Sequence, residues 1–399
     1  MLMKDVIGLQ EVKQHLVEMV QQNRLSHALL FLGKEGSGAL PLAISFAQYV
    51  VCLPPPAVET EDLFGGMTAM SSLPAVKTPE DIVHQPAYSK ADQLVHPDLH
   101  FSFPVITKKS GEKPTSKDFM VEWREFVRDT PYGNVYDWLQ KIGAENKQGN
   151  ITAEECNDII RKLSLKSFES EYKILVMWMP EYLGKEGNKL LKLIEEPPPN
   201  TLFILVAEKE ENIIPTILSR CQLVKIPPMK IEEIEKGLME RNSITPEAAY
   251  QIACMCEGNY HEALQMLQHA DDDWQNILKD WLNASIQQNT LNKAKVVDVI
   301  HALGREKQKQ LINYFIHILE QSIRINVYGE ERVMSPDKEK VIAMKLDKLA
   351  SIEQRESIIK ELDKAAYYVE RNANGKMLFM SLTIRIHYIL KHKTLMEVN

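Results

Sequence analysis

Apolar and polar positions along the chain repeat with two different periods, and the change between them divides the molecule. Val12, Leu16, Met19 and Val20 recur at helical spacing and predict a first amphipathic helix. Ala28-Leu29-Leu30-Phe31-Leu32 is a short continuous apolar run, the pattern of a strand buried on both faces. Helical spacing returns at Leu42, Ala43, Phe46 and Ala47. From residue 53 to about 104 prolines and small polar residues, Pro54-Pro55-Pro56 among them, predict an irregular segment. Residues 105–150, with Lys108-Lys109, Gly111, Pro114 and Gly149 around one helix at 119–127, read as an insertion outside the core.

The alternation then resumes. Ile159, Ile160 and Leu163 mark a helix over 153–163, and apolar runs at 174–179 and 202–206 mark two strands with a helix through 189–194 between them. A short strand follows at 222–226. Strands alternating with helices predict a parallel sheet covered on both faces. Pro227-Pro228 ends that pattern, and nearly everything beyond reads as helix. Ile231, Ile234 and Leu238 open a small helical region that continues through 246–256 and 261–267. Longer helices begin near Asp271, with Leu311, Phe315, Ile318, Leu319 and Ile323 on one face, and the last two flank Arg371-Asn372-Ala373-Asn374-Gly375.

At 399 residues the chain is too long for one ordinary core. A hydrophobic fraction of 44% and a charged fraction of 26% are those of a soluble globular protein, and no apolar run approaches the roughly 18 residues a membrane span needs. With Lys4 and Asp5 before a polar stretch, the N-terminus does not read as a signal peptide, so a cytoplasmic protein without membrane contact is expected. A net charge of −8 argues against a chain that grips DNA unaided. Cys52, Cys156, Cys221, Cys254 and Cys256 contain no CxxC pair, so no metal site is expected and reduced thiols are.

Candidate chemistry begins between the first strand and its following helix, at Gly33-Lys34-Glu35-Gly36-Ser37-Gly38-Ala39-Leu40. Gly33, Gly36 and Gly38 keep the glycine frame of a phosphate-binding loop. In that motif, GxxxxGK[ST], lysine reaches the outer phosphates and a hydroxyl holds Mg²⁺. Ala39 and Leu40 stand in those two places and can do neither. Taken by itself the run also fits a plain strand-to-helix turn. The loop is therefore degenerate, and neither ATP hydrolysis by this chain nor a bound cofactor is expected. Backbone N–H groups at 36–38 keep the capacity to hold a phosphate or sulfate.

Two further segments are more specific. Leu190-Leu191-Lys192-Leu193-Ile194-Glu195-Glu196-Pro197-Pro198 and Pro215-Thr216-Ile217-Leu218-Ser219-Arg220-Cys221 resemble the LLKxxEEPP and PTxxSRC motifs of the clamp-loader branch of the AAA+ ATPases. Arg371-Asn372-Ala373-Asn374 resembles a joint in that branch's C-terminal collar. Within the branch, the emptied loop, Trp178-Met179-Pro180-Glu181 in place of an acidic pair, and His261 in place of a sensor arginine resemble the delta-prime group of bacterial DNA polymerase III. Glu181, beyond the strand end, is expected in solvent, and His261 is expected to be a surface or core residue rather than a phosphate ligand. The group's four-cysteine zinc module is represented by Cys52 alone, which implies a lineage without zinc.

The resemblance implies an α/β P-loop AAA+ domain over 1–226, a helical lid over 227–270 and an all-α collar for oligomerisation over 271–399. It also implies a subunit that supplies Arg220 as an arginine finger to a neighbour's ATP site, with Ser219 and Cys221 supporting the loop. The implied partners are the gamma/tau motor subunits, the delta subunit, the sliding clamp and, through the assembly, primer-template DNA. A helix-capping or carboxylate-pairing role for Arg220 is the alternative at that residue. At the level of the protein, the alternatives are an active motor ATPase, which would need lysine at position 39, and a regulatory AAA+ protein that binds nucleotide as a switch.

Overall fold

The computed structural model describes residues 1–54, 59–61, 67–69, 76–107, 113–144, 147–242, 244–268, 274–286, 290–329, 337–370 and 373–391. Pro55-Pro56, Lys108-Lys109, Gly111, Asp271 and Arg371-Asn372 lie outside them. The chain forms two compact units, residues 1–267 and 268–399.

The first unit is built on strands β1 (Ala28–Gly33), β4 (Leu99–Ser102), β5 (Lys173–Trp178), β6 (Thr201–Ala207) and β7 (Gln222–Ile226), ordered β4-β5-β6-β1-β7. A separate antiparallel pair joins β2 (Glu59–Glu61) to β3 (Met67–Ala69). All contacts within the large sheet are parallel, with Leu29 opposite Ile204 on one side of β1 and opposite Gln222 on the other. Because side chains alternate across a strand, one run feeds two cores. Leu29, Phe31, Ile174, Val176, Trp178, Leu202 and Ile204 face α1 (Gln10–Gln21) and α2 (Ala39–Val51). Leu30, Leu175, Met177, Phe203 and Leu205 face α6 (Ala153–Leu163), α7 (Leu191–Glu195) and α8 (Pro215–Leu218). This covering of both faces explains why these strands read as unbroken apolar runs.

Two expectations need correction. The stretch read as irregular contains α3 (Tyr88–Asp92) and the edge strand β4, whose Leu-His-Phe-Ser sequence is too polar to resemble its neighbours. The insertion is part of the core rather than outside it. Its helices α4 (Met120–Asp129) and α5 (Val135–Lys141), with the turn just before α4, bury Phe119, Trp123, Phe126 and Trp138. Trp123 stacks on Phe103 at 4.2 Å between ring centroids and meets Trp138 edge-on at 5.3 Å. Such rings each contribute roughly 1.5–3 kcal/mol by leaving water, so the segment is structural mass of the sheet's first face.

Helices α9 (Ile231–Asn242), α10 (Pro246–Met255) and α11 (Tyr260–Gln268) follow, with Ile234, Leu238, Ala249, Ala253 and Ala263 forming a small core that also takes in Ile7 and Tyr132. The second unit carries α12 (Trp274–Ile286), α13 (Thr290–Ala302), α14 (Arg305–Tyr328), α15 (Asp337–Leu349), α16 (Ile352–Glu370) and α17 (Gly375–Lys391). Trp281 packs against Phe315 and Phe379, each at 5.5 Å, and its indole N–H donates to Thr383 Oγ1 at 2.8 Å. Arg355, 1% exposed, is neutralised by Asp347 at 3.0 Å and donates to Ser322 Oγ at 2.6 Å. Among the described residues no helix is long and apolar enough to cross a membrane.

Candidate functional site

The glycine loop leaves the carboxyl end of β1, between β6 and the edge strand β7, and open α/β sheets place their ligand crevices at the carboxyl ends of their strands. Gly36 and Gly38 have φ of 68° and 85°, a backbone region open to glycine at little cost. At Gly36 the approach is close as well, since a Cβ there would stand 1.8 Å from Asn259 Oδ1. Ala39 and Leu40 begin α2 at 7% and 5% exposure and belong to the core under the sheet. The two positions that would carry a cation and a metal-binding hydroxyl are thus packing positions.

Above the loop, Trp178, Met179, Val206, Pro131 and Tyr132 close the crevice to a cavity of about 30 Å³. Ligand pockets are roughly 300–1,000 Å³. Met179, the residue after β5, is held at φ 56° by its N–H bond to Val206 O at 2.8 Å and is buried. Glu181 corrects the expectation of a solvated carboxylate. It turns inward to accept the backbone N–H groups of Glu208 at 2.7 Å and Lys209 at 3.0 Å, and burial raises its pKa despite those bonds. Its Oε2 is buried with no hydrogen-bond partner among the described residues. Sequence reasoning missed this role because its partners lie on the turn after β6.

His261 is buried at 7% exposure, as a core residue rather than an open phosphate ligand. Its Nε2 lies 3.3 Å from Asp137 Oδ2 and 4.0 Å from Glu35 Oε1. One residue earlier, the Tyr260 N–H donates to Gly36 O at 3.1 Å, so α11 is hydrogen-bonded to the loop itself.

Arg220 stands elsewhere in the unit and does not line that cavity. Pro215 starts the short helix α8, which ends at Leu218 and turns the chain through Ser219-Arg220-Cys221 into the edge strand β7. The Arg220 side chain is 33% exposed and paired with Glu195, the last residue of α7. Its other terminal nitrogen donates to Thr216 O at 2.7 Å and to Ser219 Oγ at 3.1 Å. Ser219 Oγ also donates to Thr216 O at 3.2 Å, and burial pushes the Cys221 thiol up to about 11. The Ser219 hydroxyl is thus hydrogen-bonded within the turn, and the Cys221 thiol is shielded from water. The structure therefore joins the two sequence motifs, Glu195 of one to Arg220 of the other, and keeps both apart from the glycine loop.

Residues 8–63 and 88–230 match the family described as DNA polymerase III, delta subunit. Subunit delta' of DNA polymerase III from Bacillus subtilis strain 168 is 25% identical over 255 residues, 64% of this chain and 58% of that protein. Subunit tau from Escherichia coli K12 is 26% identical over 149 residues, 36% of this chain and 23% of that protein. The alignments thus span less than two thirds of these relatives' own length. Among solved structures, a gamma subunit-related protein of Thermotoga maritima aligns at a TM-score of 0.36 and 14% identity, covering 94% of this chain and 99% of that one. On this family match and the delta' relative, the chain belongs to the DNA polymerase III clamp-loader family, as a delta-prime-like member.

Proposed function

We propose that this chain is the non-hydrolysing stator of a bacterial clamp loader and that its contribution to ATP chemistry is Arg220, presented to the nucleotide site of a neighbouring subunit. The observation that carries the reading is the burial of Ala39 and Leu40 in the core beneath a loop that otherwise keeps its glycines. A site emptied of its cation, in a chain that still exposes part of an arginine at the edge of its sheet, fits a division of labour between subunits. An arginine delivered in trans stabilises charge on the transferring γ-phosphate and is worth about 10³ to 10⁵ in rate. Its fixed charge and forked donors suit that task, and the Glu195 pair is what holds the guanidinium while no phosphate is present.

In this reading residues 1–226 form the AAA+ domain, 227–270 its lid and 271–399 the collar that joins the ring in the cytoplasm. Gamma/tau motor subunits, the delta subunit, the sliding clamp and primer-template DNA are the partners, the last two reached through the assembly. Reconstitution with candidate motor and delta subunits tests it, scoring ring formation and clamp-dependent ATPase. The expected result is a ring whose ATPase depends on this chain, and failure to enter any ring removes the reading. Titration with labelled ATP separates the stator from a nucleotide switch, since tight binding without Mg²⁺ would favour the switch.

A further inference from the structure

The insertion has so far been given only a packing role, yet its middle reaches the crevice above the loop. Tyr132, between α4 and α5, is 4% exposed and accepts the Ile7 N–H at 2.8 Å. Its ring meets that of Tyr260, at the start of α11, edge-on at 4.8 Å between centroids, and the Arg241 guanidinium of α9 lies 5.7 Å from its centre. A Cβ added at Gly38 would come within 3.3 Å of its Cε1. Two residues on, Asn134 donates from Nδ2 to Glu35 Oε1 at 3.1 Å, and Asp137 faces His261 at 3.3 Å. One short stretch thus touches the N-terminal segment, the glycine loop and two lid helices. It leaves about 30 Å³ open, and Asp137 joins the loop's own Glu35 in flanking the His261 ring.

We propose that residues 131–137 are a tethered occupant of the crevice between loop and lid, joining lid to core in the place a diffusible nucleotide would take. A ligand that is part of the chain gives up no translational freedom on binding, so the lid stays docked whatever the nucleotide concentration. The proposal concerns the first compact unit alone and stands whether or not Arg220 acts in trans.

Hydrogen exchange of the full chain, read at residues 258–267 with and without millimolar Mg-ATP, tests it. In the unsubstituted protein lid exchange should be slow and insensitive to ATP. Tyr132→Ala should speed it by about tenfold, the scale of one aromatic pair, and Asp137→Asn by about two- to threefold, while β5 and β6 keep their protection. Should Tyr132→Ala also expose β5 and β6, Asp137→Asn decides, because that side chain is partly exposed and an asparagine oxygen can still accept the Asn134 N–H that Asp137 holds. Lid exchange slowed by ATP in the unsubstituted protein, or unchanged in Asp137→Asn, overturns the proposal.

Discussion

The glycine loop and the Arg220 turn occupy the same compact unit and have opposite physical characters. At the loop, positions that could carry charge hold Ala39 and Leu40 at 7% and 5% exposure, and the crevice above is narrowed by Trp178, Met179, Val206 and Tyr132. At the turn, a cation 33% exposed is held by a carboxylate, a carbonyl and a hydroxyl, all of which it can exchange for other oxygens. Stabilisation by burial and by exchangeable polar contacts are different investments. The first makes a region rigid and inert, and the second keeps a charged group ready to change partner.

The largest expected effect breaks the second side of the comparison. Arg220→Ala should lower the hydrolysis rate at one neighbouring site by about 10³, with Arg220→Lys recovering little of it, while gel filtration shows an intact assembly. On the first side, Ala39→Lys with Leu40→Thr restores the motif's residues but places an ammonium and a hydroxyl in the core. It should cost about 3–5 kcal/mol in denaturant unfolding and yield no ATPase in the isolated chain.

Burial lowers the pKa of His100, on β4, from 6.5 to about 4. The unfolded chain therefore binds the extra proton first, and this contribution to stability is complete above pH 6.5 and lost as pH falls toward 4. The loss should be on the order of 2–3 kcal/mol, seen as a falling Tm between pH 7 and 4.5 and reduced in His100→Gln. The smallest effect sharpens the description of the turn. Glu195→Gln, at a partly exposed pair, should change unfolding free energy by less than about 1 kcal/mol.

How legible these regions were follows from the distance over which each is determined. The three strands with continuous apolar runs, β1, β5 and β6, were readable because both faces are covered, a local consequence of a parallel sheet. β4 was not, because an edge strand with His100 and Ser102 lacks that run. The insertion's punctuation by Pro, Gly and Lys read as loop, although Phe119, Trp123 and Phe126, four and three residues apart, already formed a helical stripe that had to be buried. The emptied loop was visible in two letters, Ala39 and Leu40. Glu181's inward turn was not, and a carboxylate partner for Arg220 was legible only as an alternative without Glu195 as its identity, since each contact joins separate elements through the folded chain.

The most direct measurement is a count. A single-turnover experiment on the reconstituted loader gives the number of ATP molecules hydrolysed in the first burst, with the unsubstituted chain and with Arg220→Ala. The account predicts that the burst falls by one ATP per assembly while ring formation is unchanged. A burst of the same size in both would contradict it.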